Sequence, residues 1–207
     1  MSTAAANQTK QQILDVAEEL FATHGFTGTT LRAIVGAAGV NLAAVHYHFG
    51  SKEELLCAVV KRRAQPVVAR QLQCLAELEA VGKPVTVEAI LTAFFEPCLQ
   101  LFYQKASRRT IAAQFMGRCR VEPEPVQTIA SAEFSESQAA FLDILQRVLP
   151  DQTRSQLLWK FDLLVAVLIR VQTEAGKPGA LLRSSEPDDV QQAINQLVRF
   201  LTPGMRA

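Results

Sequence analysis

Apolar residues recur at spacings of three and four along almost the whole chain, and no run combines strict alternation with β-branched residues and turn signals as a strand would. That pattern confines the chain to an all-α fold. The first helix is expected after Thr9, because Thr9-x-x-Gln12 has capping-box spacing and Ile13, Ala17, Leu20 and Phe21 then share a face; Gly25 suits its end. A second helix, capped by Thr29 or Thr30, carries Leu31, Ile34 and Val35 to a turn at Gly39. Asn41 is a good N-cap for a third helix that runs to Phe49, where Gly50 stops it. Ser51-x-x-Glu54 opens a fourth, which buries Leu55, Leu56, Val59 and Val60 and which Pro66 is expected to kink or divide. After the break at Gly82-Lys83-Pro84, the same periodicity places helices at about 86–104, 106–120, 124–148, 153–175 and 187–202, for about nine in all.

A chain of 207 residues with 49% hydrophobic residues has enough material for a substantial core. Its net charge of +1 points to no polyanionic partner, and the balance is even on both sides of Arg63, so any nucleic-acid function must rest on local sequence. Cys57, Cys74, Cys98 and Cys119 form no C-x-x-C pair and lie in apolar stretches, as expected of buried reduced thiols in a cytosolic protein. The N-terminal MSTAAANQTK has no apolar secretory core, and the most apolar stretch, Leu163 to Val171, is far short of the roughly 18–20 residues that span a bilayer. No membrane partner, cofactor or metal is therefore expected.

Two short helices joined by a tight glycine turn, with another helix behind them, are the minimum scaffold that presents one exposed helix to a DNA major groove. Residues 29–49 meet that description, although many helical hairpins with a glycine turn never touch nucleic acid. Closer inspection favours DNA. The stretch from Gln11 to Leu56 resembles the DNA-binding domain of TetR-type transcriptional regulators over nearly its full length, through Ile13, Leu14, Ala17, Phe21, Gly25, Thr30, Ile34, Ala38-Gly39-Val40, Tyr47-His48-Phe49 and Lys52. His46 stands where that family most often has tyrosine, and Val35 where a small alanine is usual.

The resemblance implies a helix-turn-helix domain over 8–56 and a larger helical domain for effector binding and dimerisation over 57–207. On it, the segment from Asn41 to Phe49 is the recognition helix, with Asn41, Ala43, Ala44 and His46 toward base edges or groove walls. Tyr47, Thr30 and Lys52 are expected at phosphates, with Thr29 and Arg32 as further contacts. His48 and Phe49 more simply pack the third helix onto the first, and Lys61-Arg62-Arg63 reads as a solvated face. His46 and His48, two apart on a helix, point to different sides and so do not make a metal site. All three histidines lie within 24–48, which leaves the second domain without a His for nucleophilic catalysis, so an enzyme is not expected. Glu122 and Glu124, in a proline-flanked loop, read as solvent-facing.

In the second domain Phe94, Phe95, Cys98, Phe102, Phe115, Met116, Phe134, Phe141 and Trp159 are spread over successive helices and form either a plain core or, as the resemblance implies, the wall of a small-molecule pocket, with Arg118 or Arg120 at its mouth to anchor a carboxylate, unless either is simply a surface arginine. The sequence VNLAAVHYHFGSK is most similar to the branch of the family that includes fatty-acid-responsive repressors, which implies an apolar acyl effector that releases operator DNA. Two alternatives stay open. One is an efflux-type regulator of aromatic or cationic compounds, with Glu96 for the cation; the other is a DNA-binding protein of the same shape that works through protein partners. For the homodimer implied by the family, Leu164, Leu168 and Val171 with Ile194, Leu197, Val198 and Leu201 are the expected interface.

Overall fold

A computed structural model describes residues 3–100, 106–184 and 186–207. Among the described residues every regular element is a helix: α1 (Thr3–Gly28), α2 (Leu31–Ala38), α3 (Leu42–Phe49), α4 (Lys52–Ala80), α5 (Val87–Gln100), α6 (Ala106–Cys119), α7 (Val126–Val148), α8 (Arg154–Glu174) and α9 (Pro187–Arg206). None of these is long and apolar enough to cross a membrane. Helix α1 starts before the expected Thr9 cap: Thr9 Oγ1 donates back to the Ala5 carbonyl at 3.0 Å, which places Thr9 inside the helix. Pro66 does not divide α4, because Ala64, Val67 and Val68 on either side of it are buried and hold the helix together across the missing donor. Helix α9 continues through Pro203, one turn past the expected end.

Two apolar clusters organise these helices. The larger joins α4, α5, α7, α8 and α9, and at its centre Phe94 meets Phe95, Phe141 and Phe161 edge-on, with ring centroids 5.0, 5.5 and 5.1 Å apart. The smaller joins α1, α2, α3 and the first part of α4 to α6 and the start of α7. Phe115 and Met116, expected with the second domain's aromatic residues, belong to this smaller cluster, where Phe115 stacks on Phe21 with centroids 6.5 Å apart. The helix-turn-helix segment is thus seated directly on α6 and shares a core with it.

The residues expected at a dimer interface are covered by their own chain. Leu164, Leu168, Val171, Ile194 and Leu197 are buried in the larger cluster, while Val198 and Leu201 pack partly buried against it. The reason lies in the register of α8, whose inner stripe of Leu157, Phe161, Leu164, Leu168 and Val171 follows the three-and-four spacing. The opposite side bears Leu158, Trp159 and Leu163, all exposed, and Phe200 on α9 is exposed as well. Trp159, at 62% exposure, accordingly lies outside the aromatic core to which the sequence assigned it.

Candidate functional site

Local chemistry fixes the geometry of α2 and α3. Thr30 is extended and its Oγ1 accepts from the Ala33 amide at 3.1 Å, which sets the first turn of α2. Gly39 ends that helix in the left-handed region, with φ 64° and ψ 30°, and the following Val40 amide closes on the Val35 carbonyl at 3.1 Å. Two residues later Asn41 Oδ1 accepts from the Ala44 amide at 2.8 Å and starts α3; Gly50 then stops it, its amide donating to the His46 carbonyl. Ser51 and Glu54 form a reciprocal capping box at the head of α4.

With both ends fixed, α3 turns Val45 and Phe49 inward and leaves Asn41, Leu42, Ala43, His46 and Tyr47 exposed, with Ala44 half-buried. Tyr47 is the most open, at 82% exposure. His46 Nδ1 lies 2.8 Å from the Gly50 carbonyl, so its ring is tethered along the C-terminal turn of α3. Thr30 and Arg32 are exposed at the start of α2, beside this surface. Lys52 is half-buried with Nζ 4.2 Å from the centroid of Phe26, which supports its aliphatic stem while the charge remains at the domain edge.

Thr29 is a correction. At 1% exposure it cannot reach a nucleic acid; its hydroxyl donates to the Gly25 carbonyl at 2.7 Å, with the Leu20 carbonyl 3.1 Å away. Of two adjacent threonines, one caps α2 and the other closes the end of α1.

Ion pairs tie this domain to the rest of the chain. Glu18 on α1, only 2% exposed, accepts from Arg62 Nη2 at 2.5 Å and from Arg63 Nε at 2.7 Å, and Arg62 also reaches Asp15. Arg62 and Arg63 are therefore structural partners of a buried carboxylate, whereas Lys61 alone is exposed. A second junction lies at the end of α1. Arg118 Nη1 donates to the Ala22 and Thr23 carbonyls at 3.3 and 3.2 Å, its Nε pairs with Glu122 Oε1 at 2.5 Å, and Glu122 Oε2 accepts from the Phe26 amide at 2.9 Å. Neither residue was placed here by sequence: Arg118 was expected at a pocket mouth and Glu122 in solvent. The amides and carbonyls left unpaired where α1 breaks at Gly25 are what recruit them.

The second domain's remaining expected pocket residues divide between its core and a cleft. Phe94, Phe95, Cys98 and Phe141 fill the larger core, while Phe134 lines a half-open cleft of about 280 Å³ between α7, α8 and the residue that follows α6, Arg120. Phe102 lies outside the described residues. Glu96 accepts from Gln100 Nε2 at 2.8 Å on its own helix and does not line this cleft. Burial pushes the thiols of Cys98 and Cys119 up to about 12 and lowers the pKa of Arg120. Among the described residues no three metal-ligating side chains converge.

Comparison with known proteins gives this architecture a family. Residues 13–59 match the model described as bacterial regulatory proteins, tetR family, and residues 92–204, more than half of the chain, match the tetracyclin repressor-like C-terminal domain. The transcriptional regulator SrpR of Pseudomonas putida is 41% identical over 66 residues, which are 32% of this chain and 31% of that protein. The match spans about a third to a half of the length of such curated relatives. Among solved structures, a TetR-family regulator from Bordetella parapertussis superposes with a TM-score of 0.65 at 18% identity, covering 93% of each chain. The regulator FadR from Bacillus subtilis, solved in complex with stearoyl-CoA, gives 0.61 at 17% identity over 94% of this chain and 98% of its own. At such identities these neighbours speak for the fold, while the two family models span the helix-turn-helix and most of the domain behind it: the chain belongs to the tetR family of bacterial regulatory proteins.

Proposed function

We propose that the chain is an operator-binding repressor that works as a homodimer and releases DNA when a small apolar ligand, of acyl type, occupies the helical domain behind the DNA-binding head. The observation that carries this reading is α3: a helix capped at both ends, anchored by Val45 and Phe49, and presenting Asn41, Ala43, His46 and Tyr47 outward with Ala44 at the edge. Methyl groups and an amide suit base edges, whereas the Tyr47 hydroxyl, Thr30, Arg32 and Lys52 suit phosphates.

Two such helices are needed for a palindromic site, and the exposed stripe of Leu158, Trp159 and Leu163 on α8 with Phe200 on α9 is the surface on which two copies would meet. An isologous interface there withdraws about 150 Å² of Trp159 per subunit, worth about 3–4 kcal/mol. The acyl preference draws support from the stearoyl-CoA bound by the Bacillus subtilis neighbour. The shared core between α6 and the head supplies a route by which an occupied second domain alters the spacing of the two α3 helices.

Selection of bound sites from random-sequence DNA tests the reading. It is expected to return a two-fold symmetric site bound by a dimer in sedimentation. Enrichment of no sequence, or full-affinity binding by a monomer, would overturn it.

A further inference from the structure

The guanidinium of Arg120 is held in an unusual way. It lies over the Phe134 ring with its central carbon 4.5 Å from the centroid, in the cleft between α7 and α8, and among the described residues no carboxylate pairs with it and no carbonyl accepts from it. Arg118, two residues earlier, behaves differently: its Nε pairs with Glu122 and its Nη1 donates to two carbonyls. An arginine keeps its charge in a protein, so the half-buried Arg120 brings to the cleft a full positive charge and five donors that no side chain or carbonyl among the described residues engages. A guanidinium stacked on a ring in this way keeps its edge open for an anion that enters the cleft, and a carboxylate there would make charge-assisted bonds to it.

The cleft also states what that something is. Phe134, Val165 and Ile169 supply an apolar wall, and Gln127, in the first turn of α7, brings the positive end of that helix to the same end of the cleft as Arg120. Asp162 lies at the exposed rim and disfavours a second negative charge there. At about 280 Å³ the cleft is at the small end of ligand sites, which run from roughly 300 to 1,000 Å³. We infer that this cleft is the ligand site of the chain and that Arg120 takes the carboxylate of a compact organic acid, of aromatic or medium-chain aliphatic type, whose apolar body lies on Phe134, Val165 and Ile169.

This deepens the regulator reading above and rests on it for its biological sense. Arg118 and Glu122, which hold the end of α1, stand two residues to either side of Arg120, so an anion that draws the guanidinium toward α8 acts on the turn that carries the DNA-binding head. The position of the cleft beside Trp159 provides a readout, since Trp159 is the one tryptophan of the chain and lies one turn from Asp162 on α8.

The test measures binding to the full-length protein in the absence of DNA, so that its failure leaves the operator reading untouched. Butyrate, octanoate, decanoate, benzoate and salicylate are titrated while Trp159 fluorescence and the thermal midpoint are followed; octanamide and octanoyl-CoA serve as the uncharged and thioester counterparts. At least one acid is expected to bind, with affinity lost roughly ten- to a hundredfold in Arg120→Gln, as for removal of a charge-assisted bond, and largely kept in Arg120→Lys. Octanamide is expected to bind far more weakly than octanoate. Arg120→Gln removes no hydrogen bond of the described chain, and its unchanged midpoint without ligand verifies that it folds. The inference is overturned if none of the five acids produces a change, if Arg120→Gln binds as the wild type does, or if octanoyl-CoA binds more tightly than octanoate and is indifferent to Arg120→Gln.

Discussion

Substituting Gly25 by alanine is expected to destabilise the chain by about 2–4 kcal/mol. Gly25 has φ 75° and ψ 174°, a region almost closed to residues with a side chain, and occupying it costs about 1–3 kcal/mol by itself. A Cβ there would stand 2.3 Å from Glu122 Oε1 and 2.7 Å from Arg118 Nη2. Those two side-chain ends must then move, which breaks the bonds from the Phe26 amide to Glu122 and from Arg118 to the Ala22 and Thr23 carbonyls. A hydrogen bond to a charged group contributes about 1.5–3 kcal/mol, and partial exposure of Arg118 puts this one at the lower end. Urea denaturation is the assay: the midpoint should fall with the slope unchanged. Glu122→Ala should be destabilising alone and less than additive with Gly25→Ala, because both remove the same contact. Gly36→Ala is the control, since a Cβ there meets nothing within 4 Å on an exposed helical face and should be neutral or stabilising by up to about 1 kcal/mol. A loss below about 0.5 kcal/mol for Gly25→Ala, or full additivity with Glu122→Ala, would refute the junction between α1 and α6.

Tyr47→Phe is expected to weaken operator binding by about 0.5–1.5 kcal/mol, equally across operator variants and with the fold unchanged, because its ring is exposed and only the hydroxyl is lost; fluorescence anisotropy on several operators reads this. Trp159→Glu combined with Phe200→Glu should give a folded monomer in sedimentation, whereas Leu168→Glu should unfold the second domain, since Leu168 is buried in its own chain. Cys98 and Cys119 titrate near 12 in the folded chain against an ordinary 9.0, so both states hold these protons below pH 9 and only the unfolded state releases them between the two values. Stability should therefore fall as pH rises from about 9 toward 12, and the slope of thermal midpoint against pH should shrink in a Cys98→Ala, Cys119→Ala double variant.

The helix-turn-helix was legible because its determinants are local. Thr30, Asn41, Ser51 with Glu54, Gly39 and Gly50 each act within four residues, and the structure uses each as a cap or stop where the spacing put it. What failed was what depends on distant partners. Thr29 and Thr30 have the same chemistry in sequence, yet only the fold shows that the Gly25 carbonyl claims one of them. Helix α8 carries two apolar stripes, and periodicity alone does not say which faces the chain's own core; the continuous run of Leu157, Phe161, Leu164, Leu168 and Val171 was the stronger signal, since the opposite side is interrupted by Asp162 and Arg170. Phe115 and Met116 were assigned by proximity in sequence to the second domain, and the seating of the head on α6 moved them to the first. Sequence offered Arg118 and Arg120 alike for a pocket mouth, and only the fold separates them: Arg118 is taken up at the end of α1, while Arg120 lies over Phe134 in the cleft.

The central claim is that α3 reads bases in the major groove from both halves of a symmetric site. It is tested most directly by repeating the selection from random-sequence DNA with Ala44→Gln, which adds an amide at a partly exposed position one turn from the Asn41 cap without touching the buried Val45 or Phe49. The expected result is a changed base preference at one or two positions, mirrored in both half-sites, with each mismatch to the new site worth roughly 1–3 kcal/mol and the rest of the sequence retained. Selection of the same sequence by the wild type and by a folded Ala44→Gln variant, with equal affinity, would contradict it.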